Sequence, residues 1–119
     1  MEWFYDKNGQ PVFFQYDDRL IDRLGRNLCW VFGNHIYSLR TGRHIGWFED
    51  GKAYDIENGI LAFLKNATGL PYKPGIGGTP ATPGIPGKPG KPGRSGVYGR
   101  PGYRGFSSHN PVEYFLTNQ

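Results

Sequence analysis

Cysteine is almost absent from this chain. Cys29 is the single cysteine in 119 residues, so no internal disulfide framework staples the fold and an oxidising compartment is not required. Long apolar runs are missing as well, and no window approaches the ~18 apolar residues of a membrane-spanning helix. The opening Met1-Glu2-Trp3-Phe4-Tyr5-Asp6 has neither a basic start nor an apolar stretch of signal length. The expectation is a soluble cytoplasmic protein. Acidic residues are lacking from one region altogether: none stands between residues 75 and 112. Proline is scarce at the front, where Pro11 is the one exception to its confinement beyond residue 70.

What is present divides in two. Residues 1–70 carry 13 of the 19 aromatics, with 8 basic and 9 acidic residues. Residues 71–119 carry 6 basic residues and one acidic residue, so the net charge of +4 belongs to the tail. A stretch the size of the front part is near the low end for a self-sufficient core, because small domains bury a smaller share of their surface. Its aromatics offset this, each covering ~150–250 Å² when buried. The organisation expected is a β domain over 1–70, a Gly/Pro-rich basic linker over 71–108 and a short C-terminal segment over 109–119.

Four glycines, Gly9, Gly25, Gly42 and Gly59, recur at intervals of 16 or 17 residues, each preceded by a related pair: Tyr5-Asp6, Ile21-Asp22, Tyr37-Ser38 and Tyr54-Asp55. A fixed period marks a repeat architecture. The third and fifth residues after each glycine are apolar: Val12 and Phe14, Leu28 and Trp30, Ile45 and Trp47, Ala62 and Leu64. That spacing places both members of a pair on one face of a strand. Strand, glycine turn and strand make a β-hairpin, and Asn8-Gly9 and Asn58-Gly59 suit the positive φ of tight turns. The Asp or Ser ahead of each turn is placed to cap backbone N–H groups. Tyr16-Asp17-Asp18, Gly33-Asn34 and Asp50-Gly51 read as the return turns. The fold class expected is all-β, with four consecutive hairpins. They stand either around a pseudo-fourfold axis, with Phe14, Trp30, Trp47 and Leu64 at the centre, or as a meander closing into a small barrel. The fourth repeat is the least regular, and Ile60-Leu61-Ala62-Phe63-Leu64-Lys65 could begin a short helix.

The phrases Tyr5-Asp6-Lys7-Asn8-Gly9, Gly42-Arg43-His44-Ile45-Gly46-Trp47-Phe48-Glu49-Asp50-Gly51 and Ala53-Tyr54-Asp55 resemble the bacterial domain family named the 4-fold beta flower. The resemblance covers about residues 2–65 and stops short of the tail. It implies a four-petalled, flower-like β architecture. It carries no catalytic residues across, because the family has no established activity.

From Gly75 to Gly105 glycine recurs at every third place, interrupted once by Ala81. This is a collagen-like Gly-X-Y signature, the pattern in which only glycine fits the crowded axis of three polyproline-II chains. Several features oppose a triple helix. Ala81 breaks the pattern, and proline appears only as the third residue of a triplet, never as the second. Five cations without an acidic neighbour would line up between strands and repel. A flexible extended linker is the plainer reading. A trimeric stalk on the order of 100 Å long is the other, and it would make the protein a homo-oligomer. The final Val112-Glu113-Tyr114-Phe115-Leu116-Thr117 has strand-like composition and is expected to dock on the head.

Few residues in the chain stand in patterns that carry chemistry. His35 and His44 stand nine residues apart on separate strands with no Cys or carboxylate at metal-site spacing, so no metal is expected. Cys29 alternates with Leu28 and Trp30, which makes it a small packed thiol facing away from them. Asp17-Asp18 lies in a turn and points to water. No phosphate loop or nucleophile elbow is present. Catalytic residues and cofactors are therefore expected to be none, and the chain is read as no enzyme. The one functional patch is Lys88, Lys91, Arg94, Arg100 and Arg104, interleaved with Tyr98, Tyr103 and Phe106. Such a segment suits nucleic acid or another polyanion, through phosphate contacts and base stacking. The leading reading is a non-enzymatic structural or interaction module with an unknown protein partner. Polyanion binding through the tail and the trimeric stalk follow it.

Overall fold

Each glycine-centred phrase folds as a hairpin. The computed structural model describes residues 2–119. Within them lie β1 (Trp3–Tyr5), β2 (Pro11–Tyr16), β3 (Arg19–Asp22), β4 (Asn27–Phe32), β5 (His35–Ser38), β6 (His44–Glu49), β7 (Lys52–Asp55), β8 (Ile60–Leu64) and one helix, α1 (Pro111–Thr117). Every strand is antiparallel to the next, and β1 pairs with β8 through Phe4↔Leu64 and Tyr5↔Phe63, closing an up-and-down barrel. The four-hairpin repeat and the closed meander are thus one structure. Ile60–Leu64 is strand, not the start of a helix.

The turns follow their capping residues. Asp6 Oδ1 accepts the N–H groups of Asn8 and Gln10, Asp22 Oδ1 those of Leu24 and Arg26, and Asp55 Oδ1 those of Glu57 and Gly59. Ser38 Oγ accepts from Thr41 N. The positive φ falls on Gly9, Gly25 and Gly42, but in the fourth turn on Asn58, at 70°. Asn58, not Gly59, is therefore the equivalent of the other three. The fourth repeat is offset by one residue from the glycine count.

A second feature recurs four times. Pairing shifts register between Phe4 and Tyr5, Leu20 and Ile21, Ile36 and Tyr37, and Ala53 and Tyr54. Each shift is a bulge whose extra residue is Val12, Leu28, Ile45 or Leu61. A bulge sets two successive residues against one and interrupts alternation. The bulged residue and its successor therefore both face inward: Leu28 with Cys29 and Leu61 with Ala62 belong to the central cluster, where Ile45 and the partly buried Val12 also pack. Cys29 does not face away from Leu28. Phe14 and Trp47, two of the expected central residues, instead join clusters separate from the barrel interior. Leu64 is only partly buried against the interior, and the residue matching Trp47 is Phe63.

Inside, the cross-strand pairs Phe4↔Phe13, Leu20↔Cys29, Ile36↔Gly46 and Ala53↔Ala62 form one layer. Two phenylalanines from the first repeat meet glycine and alanines from the third and fourth. Summed volume, not fourfold sequence symmetry, fills the interior at normal packing density.

The last strand-like segment is a helix. Asn110 caps it by accepting from Glu113 N at 3.0 Å, with Pro111 in the first turn; asparagine, proline and glutamate at these places favour a helix start over a strand. The helix lies on the turn side of the barrel. Phe115 is fully buried with Phe13, ring centroids 5.7 Å apart. Tyr114 Oη donates to Ile45 O at 2.6 Å and accepts from Ile56 N at 3.0 Å, and burial pushes its hydroxyl pKa up to about 12. Residues 1–70 alone therefore leave the core open at one end. Replacing Phe115 by alanine in the full chain is expected to lower the unfolding free energy by ~3–5 kcal/mol. Truncation after Thr68 should abolish the cooperative urea transition; a truncated chain with wild-type stability would contradict this packing.

Candidate functional site

The bulges that send Val12 and its equivalents inward send a second set of residues outward. Trp3↔Phe14, Arg19↔Trp30, His35↔Trp47 and Lys52↔Phe63 are paired across the strands at equivalent places on the outer face. Tyr5, Ile21, Tyr37 and Tyr54 follow them. A ring of aromatic rings on the outside of a barrel is costly in water, yet Trp3, Phe14, Trp30, Trp47 and Phe63 are all buried. Side chains of the Gly/Pro tract cover Trp30 and Trp47, through Lys91 and Arg100, while Trp3, Phe14 and Phe63 pack with Ala67, Leu70, Ile76 and Phe106.

Residues 71–105 do not hang from the barrel as a linker; they run around it. The prolines at 80, 83, 86, 89 and 92 are half-buried, while the glycines and middle residues of the same triplets are exposed. Burial at every third residue is the period of a polyproline-II strand. The proline ridge lies on the barrel and the glycine ridge faces out, where a Cβ at Gly87 or Gly90 would meet nothing within 4 Å. Ala81 sits on that open ridge, exposed, which is why it interrupts the pattern without harm. Nothing in the structure explains why the outer ridge is otherwise glycine.

Belt and barrel keep a common measure. A Cβ on Gly9 or Gly42 would run into the carbonyl oxygen of Gly75 or Gly93 respectively, and one on Gly25 would stand in tight contact, 3.0 Å from that of Gly84. The tract thus meets one hairpin turn every nine residues. At ~3.1 Å per residue such a step covers ~28 Å, about a quarter of the perimeter of a particle 36 to 38 Å across. Backbone hydrogen bonds mark the same stations: Gly77 N to Gly9 O at 2.8 Å, Ser95 N to Gly42 O at 2.9 Å and Arg104 N to Asn58 O at 3.3 Å. At the second station the corresponding residue is Pro86, which has no N–H to give. There the barrel donates instead, with Arg19 Nη1 to Pro86 O and Asn27 Nδ2 to Gly87 O, both 3.0 Å.

The five tail cations are each placed by this wrapping. Lys88 Nζ lies 3.2 Å from Asp18 and 3.6 Å from Asp17. Lys91 pairs with Asp18, its Nζ 4.9 Å from the centroid of the Trp30 ring. Burial opposes ionisation of Asp18, but hydrogen bonds from Lys91 and Lys88 outweigh it and hold the carboxyl below its usual range. Asp17-Asp18 is therefore a lysine receptor and not a pair of free carboxylates. Arg94 lies 3.6 Å over the Phe32 ring. Arg100 pairs with Glu49, donates to Asn58 Oδ1 at 2.8 Å and lies 4.7 Å over Tyr54. The Arg104 side chain lines a cavity of about 210 Å³ beside Asp55, Glu57 and Ser107. The aromatics between them are also engaged: Tyr103 Oη donates to Gly69 O at 3.1 Å, and Phe106 packs on Phe63 and Tyr72.

His44 fastens the third quarter. Its ring is buried among His35, Tyr37, Trp47 and Tyr98. Nδ1 accepts from Tyr98 N at 3.1 Å, while the His44 backbone N donates to Ser95 Oγ at 2.9 Å. A backbone N–H only donates, so His44 Nδ1 carries the lone pair. Its Nε2–H then faces His35 Nδ1 at 3.2 Å. Burial, and then the neighbouring His35, lower the His44 pKa. Metal-ligating groups come together elsewhere: Asp55, Glu57 and His109 bring donor atoms within 4.8 Å of one another. The Asp55 oxygens already accept from Glu57 N, Gly59 N and Ser107 Oγ, and Glu57 faces His109 at 3.8 Å. Buried Cys29 has its thiol pKa pushed up by the same desolvation, with a backbone hydrogen bond to Leu20 opposing it.

Sequence reasoning located the tail cations but not their receptors: Trp30, Trp47 and Tyr54 on the outer face, Asp18 and Glu49, and the donors Arg19, Asn27 and His44. The signal that could have found them is the spacing of Gly75, Gly84 and Gly93, in step with Gly9, Gly25 and Gly42.

Fold and site together define an eight-stranded antiparallel barrel of four bulged hairpins, belted by its own Gly/Pro strand and closed by a terminal helix. The chain belongs to the 4-fold beta flower family, whose model, described as 4-fold beta flower protein, matches residues 2–116. The match runs well past residue 65, through the belt and into the helix, so the family unit is larger than the front repeats. No curated protein and no solved structure matches the chain.

Two predictions follow from the belt. Gly87→Ala, on the open ridge, is expected to stay within ~0.5 kcal/mol of wild type, whereas in a collagen triple helix it would be disruptive. Gly42→Ala, forced to a φ of 71° and into the Gly93 carbonyl, should cost ~1–3 kcal/mol for strain alone; chemical denaturation measures both. The second concerns pH. The folded pKa of His44 lies below its ordinary value of 6.5, so the unfolded chain binds more protons between the two values. Stability is complete above that window and is lost as pH falls from 6.5 through the folded pKa. Protection factors of the Ser95 and Tyr98 amides, referred to intrinsic exchange at each pH, should fall in the same window, and His44→Gln should flatten the profile. Asp18 adds a separate loss only below 3.8. An unchanged melting temperature between pH 7.5 and 5 in the wild type would refute the role given to His44.

Proposed function

We propose that this protein is a non-enzymatic interaction module whose working surface is the belted outer face of the barrel. One observation carries the reading. The most extensive array of functional groups in the molecule is one of recognition, with rings facing cations, carboxylates facing ammonium groups and barrel donors facing tract carbonyls, arranged in register over three quarters of the perimeter. Capture of a specific partner by the immobilised full chain tests it, with Gly42→Ala as the control that disturbs the belt. A partner retained by wild type and lost or gained by the variant supports the reading. Equal retention by both places the interaction elsewhere.

Polyanion binding through the tail is the second reading. It is favoured by Arg94 and Arg104, which pair with no carboxylate among the described residues. Lys88, Lys91 and Arg100 would first have to leave Asp17, Asp18 and Glu49. With the belt in place, oligonucleotide affinity should therefore fall with salt at a logarithmic slope of about −1.4, that of two phosphate contacts on a single strand. A slope near −3.5 would mean that all five cations reach the phosphates and that the belt has come away. No retention at low ionic strength removes this reading.

A further inference from the structure

The outer face has the features of a receptor, not only of a surface that happens to be covered. Two wells on consecutive repeats combine an aromatic face with a carboxylate. Trp30 and Asp18 hold Lys91, while Trp47, Tyr54 and Glu49 hold Arg100. Their occupants are nine residues apart, the same three triplets that separate the stations at Gly84 and Gly93. Between and beside the wells the barrel reads backbone. Arg19 is buried, and among the described residues it pairs with no carboxylate and its Nε has no partner; Nη1 donates to Asn27 Oδ1 and to the Pro86 carbonyl, each at 3.0 Å. Asn27 takes Gly87 O at 3.0 Å and Asn58 takes Pro101 O at 2.9 Å. Carbonyls of a polyproline-II strand have no internal hydrogen bonds and point outward, so donors at this spacing select that conformation. Aromatic-lined grooves with such donors are a recurring means of binding proline-rich strands.

The occupant is also loosely held. The side chains of Lys88 and Lys91 remain nearly half exposed, at 45% and 47%, and exposed ion pairs contribute little each. The barrel and helix share a buried core that the middle of the belt does not enter. Segments with few buried contacts open first.

We propose that the outer face is a binding groove for a cationic Gly-X-Pro strand supplied in trans, reading cations nine residues apart, and that the chain's own tract is its resident, exchangeable occupant. This rests on the reading of the protein as an interaction module and names the chemistry of the partner. The cis tract has the advantage of tethering, since a short linker holds it at an effective concentration in the millimolar range. A trans strand binds measurably only when the cis one is weakened.

The test uses the full chain carrying Lys88→Ser, Lys91→Ser, Arg94→Ser and Arg100→Ser, with the helix and barrel unaltered. The probe is a fluorescent peptide of residues 79–103, followed by anisotropy. Binding at least tenfold tighter than to wild type is expected. A peptide of equal composition with the triplets scrambled, and an oligolysine of equal charge, should each bind at least tenfold more weakly. A variant with native circular dichroism that fails to bind, or that takes the scrambled peptide or oligolysine equally well, overturns the proposal; the second outcome means charge attraction alone. Should the fourfold variant not fold, the triple variant Lys88→Ser, Lys91→Ser and Arg100→Ser empties both wells and supports the same measurement. Loss of peptide binding alongside continued capture of a partner by wild type overturns the groove and leaves the interaction module standing. Absence of any partner with peptide binding intact does the reverse.

Discussion

The structure depends on one irregularity made four times. A regular strand pair sends alternate side chains to opposite faces. Here the bulge at Val12, Leu28, Ile45 and Leu61 breaks alternation once per hairpin, turning two neighbouring residues inward and the next outward. That sorts the apolar residues of each hairpin into a small interior and a large exterior. The interior is filled by aliphatic side chains, Phe4, Phe13 and the plug Phe115. The exterior receives tryptophans and tyrosines that no short barrel can leave in water. Everything that follows, the belt above all, answers that surplus of outward aromatic surface.

A polyproline-II strand suits the task physically. It has three ridges, so one can lie on the barrel while a second carries cations sideways onto the rings. It also arrives stiff, losing less conformational entropy on ordering than a flexible linker would. Its backbone hydrogen-bonding groups stay free for the barrel's donors and acceptors. The nine-residue step works because three turns of such a strand equal a quarter of the perimeter. Cation–π contacts and ion pairs then contribute at each station, modest singly and additive around the ring. The tail's positive charge and the front's acidic turns are two halves of one contact. The excess charge of the tail is largely met by Asp17, Asp18 and Glu49, so net charge alone says little about an external partner.

Much of the barrel could be read from the residues. The number of hairpins, the turn positions and the capping role of Asp6, Asp22, Ser38 and Asp55 are all local, and the structure has them. The inner and outer faces were not legible, because the reading of Val12 with Phe14 as one face assumes unbroken alternation. Nothing in the residue types at Leu28-Cys29 announces a bulge. The fourth repeat misled for a related reason: Asn58 and Gly59 both tolerate positive φ, and Asn58 is the one that adopts it. At the C-terminus the strand-like composition of Val112–Thr117, taken alone, points to a strand, and the cap that Asn110 and Pro111 form with Glu113 decides for helix. In the tail the period was plain but its use was not, since a Gly-X-Pro repeat specifies a conformation and leaves its neighbour open.

By itself the sequence determined what depends on residues a few positions apart: four capped hairpins, a three-residue period in the tail, and charges kept on separate halves. Those preferences arise from backbone sterics and short hydrogen bonds, which need no distant partner. The tertiary structure decided which face each side chain took and what each cation met. It also made Cys29 an inert interior group and set His44 between barrel and belt as a clasp. These are consequences of closure, because only when β8 returns to β1 does the chain have an inside, and only then is there a perimeter for the tail to follow.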